Sequence, residues 1–178
     1  MMRVFVGIGL NAEMKDSLWA AALKAQELFP GRYSARDNYH CTLKFIGQAD
    51  TAAVLLIEKA MKEASAQIGP FSITLAGLSF FRRPQDAVLF CGLYKSQPLE
   101  KLAGEMKARL FKAGFRLEDG AFHSHITLAR QARLDPNTLS TIPVTPASLK
   151  VEEITLFESC REEEQLRYVP LYRCLLGK

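Results

Sequence analysis

Apolar residues along this chain change their spacing several times, and each change predicts an element. Residues 3–10 are apolar and rich in β-branched side chains, as in a buried strand. Over 12–29, Leu18, Ala21, Ala22, Ala25, Leu28 and Phe29 recur at helical spacing. Asn11 stands where a helix cap belongs, and Pro30-Gly31 ends the run. Residues 31–39 are polar and irregular, and 40–46 alternate as a strand. A second helix starts at Asp50 or Thr51, carries Val54, Leu55, Ile57, Ala60 and Met61, and runs to about Ile68 before Gly69-Pro70. Strand-like runs at 71–81 and 87–94 flank Arg82-Arg83-Pro84-Gln85-Asp86, a hairpin loop. Gln97-Pro98 opens a third helix with Leu99, Leu102, Ala103, Met106, Leu110 and Phe111 on one face and Gly114 at its end. Residues 122–129 alternate again, and a proline-spaced segment follows (Pro136, Pro143, Pro146). Strands near 149–157 and 166–175 flank Arg161-Glu162-Glu163-Glu164, read as a solvated turn.

This pattern predicts about seven strands and three long helices. Strict strand-helix alternation is lost after the second helix, which favours an α+β fold with antiparallel sheets over a doubly wound parallel sheet. At 178 residues, with no linker-like stretch, 1–178 reads as one folding unit.

Composition narrows the function classes. A share of 48% hydrophobic and 24% charged residues is that of a globular protein. The net charge of +4 permits an anionic substrate without suggesting a polybasic binder. No stretch approaches the roughly 18 apolar residues of a membrane helix. The apolar run after Arg3 lacks a following cleavage site and meets Asn11, Glu13, Lys15 and Asp16 at once, so it reads as a strand rather than a signal peptide. Cys41, Cys91, Cys160 and Cys174 form no C-x-x-C pair, and reduced thiols in a cytoplasmic protein are expected.

Two of the three histidines open near-identical tetrapeptides 85 residues apart: His40-Cys41-Thr42-Leu43 and His125-Ile126-Thr127-Leu128. The chance odds of two such x-Thr-Leu continuations are about one in ten thousand, before discounting for a pattern chosen after the fact. Residues i and i+2 of a strand share a face. His40 and Thr42 therefore project together, as do His125 and Thr127, while Cys41, Leu43 and Phe45, and Ile126 and Leu128, face a core. If the halves pack about a pseudo-two-fold, two imidazoles and two hydroxyls meet across a groove. One imidazole could then take a proton from an attacking oxygen and the other give one to a leaving oxygen. The hydroxyls could hold non-bridging phosphate oxygens. Two histidines without acidic or thiol partners at ligand spacing are too few for a zinc site, so no metal and no cofactor are expected.

These motifs resemble the 2H phosphoesterase superfamily, and more narrowly the RNA 2′,3′-cyclic phosphodiesterases, also called 2′-5′ RNA ligases. The resemblance also rests on Arg3-Val4-Phe5-Val6-Gly7-Ile8, on Lys44-Phe45-Ile46-Gly47 after the first motif, on Phe122-His123-Ser124 before the second and Ala129-Arg130 after it, and on Leu156-Phe157-Glu158-Ser159. It implies a bilobal α+β fold whose antiparallel sheets and flanking helices surround a central groove. It implies metal-free opening of RNA 2′,3′-cyclic phosphate ends to 2′-phosphates, with 2′-5′ joining in vitro by some members. It makes His40 the proton donor and His125 the proton acceptor, with Thr42, Thr127 and Arg130 on the phosphate. The internal symmetry leaves the two histidine roles open on sequence alone. Tyr33 replaces a usual Trp and Tyr39 an often-found Leu, which bears on RNA contact rather than chemistry.

Arg130 follows His125 by five residues, so strict alternation puts it on the opposite face unless a bulge intervenes. Lys44 shares the face of His40 by the same count. Phe122, Tyr33, Tyr39, Phe80 and Phe81 are stacking candidates, each with core packing as the plainer role. His123, Arg82 and Arg83 could line the groove or serve solubility alone. Two other functions remain: a 2H enzyme acting on a different small 2′-linked or cyclic phosphate, such as 2′-5′ oligoadenylate or a cyclic ADP-ribose phosphate, and an RNA-binding module without turnover. A monomer without membrane association is expected.

Overall fold

The computed structural model describes residues 1–117, 120–162 and 165–178. β1 (Met2–Gly9) is followed by α1 (Ala12–Leu28), whose first turn is capped by Asn11 Oδ1 accepting from the Met14 N–H at 2.9 Å. β2 (Arg32–Tyr33) and a short 3₁₀ turn (Arg36–Asn38) lie where irregular chain is predicted. β3 (His40–Ala49) leads to α2 (Thr51–Ser65), capped by the Asp50 carboxylate, which accepts from the Ala53 N–H. The hairpin β4 (Phe71–Arg82) and β5 (Ala87–Leu93) precedes α3 (Gln97–Lys112), and Gly114 follows at φ +92°. β6 (His125–Ala132), the short α4 (Pro136–Leu139), β7 (Ser148–Val151), β8 (Glu153–Glu162) and β9 (Gln165–Leu175) complete the chain.

Nine strands and four helices thus stand, among the described residues, where seven and three are predicted. The predicted strand over 149–157 is two strands in different sheets. A parity change marks the break: Val151 faces a core as an odd-numbered residue, Ile154 and Leu156 as even-numbered ones. The second motif's strand starts at His125, not 122. Arg161 and Glu162 belong to β8, and the rest of the acidic turn, Glu163 and Glu164, lies outside the described residues. Phe111 does not share the buried face of α3 and is 75% exposed; Leu55 of α2 is exposed too. Among the described residues no helix is long and apolar enough to cross a membrane.

Both sheets are antiparallel. One has the order β3-β1-β8-β9 and the other β2-β6-β5-β4-β7. Remove β2 and the two orders correspond, strand for strand. In each, a histidine strand pairs with the strand that precedes it across a helix: β1-α1-β3 in one, β5-α3-β6 in the other. This is the predicted internal duplication. Both sheets contribute to one apolar cluster, in which Val4, Val6, Ile8 and Leu156 of the first sheet join Ile73, Leu89, Ile126 and Leu128 of the second. The helices bury Leu18 and Ala22, Ile57 and Met61, and Leu102 and Met106 against it.

Candidate active site

Each histidine strand departs from regular pairing twice, and the departures decide which side chains share the site. In β3, Thr42 lies opposite Gly7 and Lys44 opposite Val6, so Leu43 is an inserted residue. A second shift brings Phe45 opposite Phe5 and Gly47 opposite Val4, with Gly47 at φ +99°. In β6, Thr127 lies opposite Phe90 and Ala129 opposite Leu89, so Leu128 is inserted at the corresponding place. A further shift precedes Ala132, next to Gln131 at φ +53°. Both motifs therefore carry a bulge at their leucine.

Bulges reverse the alternation that follows them. Leu128 and Ala129 are consecutive buried residues, and Arg130 returns to the face of His125 and Thr127. The parity objection to Arg130 is thereby removed. The same device overturns two expectations in β3. Lys44, opposite the core residue Val6, leaves the face of His40, and Phe45, opposite Phe5, joins it.

His40 lies opposite Gly9 and His125 opposite Gly92, so no side chain crowds either ring from the paired position. The His40 Nδ1–H donates to the Asn38 carbonyl at 2.7 Å, and the Thr42 hydroxyl donates to His40 Nε2 at 3.0 Å. His125 repeats the first contact, its Nδ1–H donating to the His123 carbonyl at 2.7 Å. Each carbonyl belongs to the residue two places before its histidine. This fixes one tautomer in both rings and turns both Nε2 atoms to the site, that of His40 onto the Thr42 hydroxyl.

Aromatic rings hold the imidazoles. His40 packs against Phe5 at 4.6 Å and edge-on to Tyr168 at 4.8 Å, while Phe157 stacks on Phe5. His125 meets Phe81 at 5.0 Å and Phe90 at 5.3 Å, both edge-on. Burial disfavours the imidazolium. It pushes His40 down to about 4, reinforced by the positive charges of Arg130 and Lys15 and by His125, and opposed by the Asn38 carbonyl. Burial also lowers His125, with His123 and Arg130 adding to the effect and the His123 carbonyl opposing it. At neutral pH both rings of the ligand-free protein are uncharged.

The two strands lie side by side. The Cys41 thiol faces the main-chain N–H of His125, and the Arg130 charge reaches both histidines and Tyr168. The site residues predicted from sequence, His40, Thr42, His125, Thr127 and Arg130, thus occupy one face of two adjoining strands. Beside His40 opens a cavity of about 550 Å³, walled by His40, Thr155, Phe157, Tyr168, Lys15 and Arg173. That lies within the roughly 300–1,000 Å³ range of small-molecule and cofactor sites. Among the described residues, no group of three or more His, Cys, Asp or Glu side chains could hold a metal ion.

The second-tier candidates divide. Phe81 reaches the site; Tyr39 is 1% exposed in the core, its hydroxyl without a partner. Tyr33 and Phe122 pack against the core, and Phe80 carries the Arg82 guanidinium at 5.7 Å. The His123 ring meets the edge of Phe81, but its main-chain carbonyl is what orients His125. From sequence, Phe5 and Phe157 are only members of the blocks that carry the resemblance, and Tyr168 is only a strand residue. Nothing local distinguishes them from other aromatic residues of strands; register alone brings them to His40.

Two sheets that each present an imidazole and a hydroxyl from a bulged strand have the arrangement expected of a two-histidine phosphoesterase. Residues 14–163 match the family model described as the 2′-5′ RNA ligase superfamily, and the chain belongs to that superfamily. It is similar to the RNA 2′,3′-cyclic phosphodiesterase of Escherichia coli K12, with 31% identity over 98% of this chain and 96% of the relative. It is also similar to the RNA 2′,3′-cyclic phosphodiesterase of Geobacillus stearothermophilus, with 28% identity over 89% of this chain; there the match spans 52% of the relative's length. The structure superposes on that of E. coli LigT complexed with 3′-AMP at a TM-score of 0.79, with 28% identity and 99% of both chains covered.

Proposed function

We propose that this protein hydrolyses the 2′,3′-cyclic phosphate ends of RNA to 2′-phosphates without a metal ion. The observation that carries the reading is the duplicated bulged strand, which turns two imidazole Nε2 atoms, two threonine hydroxyls and Arg130 toward one face. The names of the relatives supply the substrate class.

In this reading the cyclic phosphodiester lies between His40 and His125, and its nucleoside enters the cavity beside His40. Nε2 of His125 takes a proton from water as the water oxygen attacks phosphorus. The bond from phosphorus to the 3′-oxygen breaks, and that oxygen receives a proton from Nε2 of His40. The product is a 2′-phosphomonoester and a free 3′-hydroxyl. Thr42, Thr127 and Arg130 bind the non-bridging oxygens. The donor role requires His40 to be charged, although burial holds it neutral in the ligand-free protein. The phosphate anion supplies the missing stabilisation: with Nδ1–H already on the Asn38 carbonyl, an imidazolium would give Nε2–H to the substrate. The same pair also suits joining, in which an RNA 5′-hydroxyl replaces water, gives its proton to one imidazole as it attacks phosphorus of the cyclic phosphate, and leaves a 2′-5′ linkage as the 3′-oxygen departs with a proton from the other.

A short RNA ending in a 2′,3′-cyclic phosphate, incubated with the protein in EDTA, tests this. The expected product is the 2′-phosphate, lost in His40→Ala and in His125→Ala. A 3′-phosphate product, or turnover that EDTA abolishes, would overturn the proposal.

A further inference from the structure

β2 is two residues long, and main-chain contacts fix its place. The Arg133 N–H donates to the Pro30 carbonyl at 3.0 Å and the Ser34 N–H to the Leu128 carbonyl at 2.8 Å. Gly31 permits the approach, because a Cβ there would stand 3.1 Å from Ala132 Cα and 3.2 Å from its Cβ. The Tyr33 hydroxyl donates to the Phe29 carbonyl at 3.1 Å. Pinned in this way, β2 sets Arg32 directly opposite Arg130 and Tyr33 opposite Ala129. Directly paired residues share a face, so Tyr33 turns to the core with Ala129, and Arg32 lies with Arg130 on the face of His125 and Thr127.

Like charges directly opposite across two strands repel. Neither arginine has a carboxylate partner among the described residues, although nearby Arg36 pairs with Asp16 and Asp37. Both are exposed. A repelling guanidinium pair becomes an attractive one when a phosphate bridges it, since each planar fork matches two phosphate oxygens. Arg130 reaches the histidines electrostatically, whereas Arg32 stands one strand farther out, at the sheet edge.

We propose that Arg32 and Arg130 together hold the phosphodiester one nucleotide upstream of the cyclic end, so that the enzyme selects an RNA terminus over a free nucleoside cyclic phosphate. This rests on the cyclic-phosphodiesterase reading above. Arg130 then serves two phosphates, and Arg32 serves the upstream one alone.

The test compares uridine 2′,3′-cyclic phosphate with the dinucleotide UpU ending in a 2′,3′-cyclic phosphate, for the wild type and Arg32→Gln. In Arg32→Gln, kcat/KM for the dinucleotide should fall about tenfold, the effect of one charge-assisted contact. For the mononucleotide it should stay within roughly twofold of the wild type, below the effect of one lost hydrogen bond. The dependence of log kcat/KM on log salt should become shallower by about 0.7 for the dinucleotide only. Thermal unfolding of the variant should come at the same temperature or higher, because a repulsion is removed. Equal losses on both substrates, no loss on either, or a lowered unfolding temperature would overturn the proposal. If the wild type turned over neither substrate, the catalytic reading would fail instead. Anisotropy with a fluorescent UpU 2′-phosphate would then decide the clamp: weaker binding by Arg32→Gln supports it, and equal binding overturns it.

Discussion

The two imidazoles share a tautomer because each gives its Nδ1–H to a carbonyl two residues back. What separates them is the surroundings, and that difference sets the pH behaviour. A donor-acceptor pair works in the free enzyme only when one ring is protonated and the other is not. Both rings lie below the ordinary value of 6.5, His40 at about 4. The profile of kcat/KM should therefore peak below pH 6.5 and fall toward alkaline pH as the donor loses its proton. Bound phosphate favours the imidazolium, so the profile of kcat should lie at higher pH than that of kcat/KM. A kcat/KM optimum above pH 8 would contradict this picture. The same shift bears on stability. The unfolded chain takes up a proton at His40 near 6.5 and the folded chain only near 4, so stability is full above 6.5. It declines as pH falls from 6.5 to about 4, and His40 adds no further loss below that. Urea midpoints across that window would measure it, with His40→Gln flattening the slope. Replacing either histidine by alanine should cost about 10³-fold in kcat. Thr42→Val and Thr127→Val should each cost about a hundredfold in kcat, with little change in unfolding temperature.

At the scale of the element, the inserted leucines do more than bend a strand. They let a motif keep His and Thr in alternation and still bring the residue five places after the histidine back to the same face. In β6 that residue is Arg130; in β3 it is Phe45, whose ring carries the Arg3 guanidinium at 5.0 Å. The second shift in β3 needs a left-handed residue, and Gly47 supplies it at φ +99°. Gly47→Val should lower stability by about 1–2 kcal/mol, read as a shift of the urea midpoint, and reduce activity as Phe45 and Lys44 lose their register. In β6 the corresponding strain falls on Gln131, so Gln131→Gly should leave stability unchanged or raise it. Here the limits of the sequence are visible. The motifs, the helix caps and most strand positions follow from periodicity and from Asn11, Asp50 and Gly114. The bulges do not, because no residue type marks Leu43 or Leu128 as inserted, and with them went the faces of Lys44, Phe45 and Arg130. β2 was invisible because a two-residue strand has no period; β6 holds it by hydrogen bonds.

For the whole molecule, the duplication is one of order and register more than of sequence. Outside the tetrapeptides, β1 and β5 share little, yet each sets a glycine opposite its partner's histidine. The apolar cluster spans both sheets, so the two halves should lose structure together. Chemical denaturation followed by far-UV and near-UV circular dichroism should give coincident single transitions. Two separated transitions would instead mark the lobes as independent units.

The same layering that turns His40 and Thr42 outward turns Cys41 inward. That thiol has no exposed surface, and burial pushes it up to about 12. Cys91 and Cys174 are buried as well, leaving Cys160 as the most accessible of the four thiols. A cysteine set between two residues of the proposed active site would ordinarily make an enzyme vulnerable to alkylation and peroxide. Here the pleat shields it: the folded protein should take up iodoacetamide first at Cys160, on the hairpin of β8 and β9, and keep its turnover.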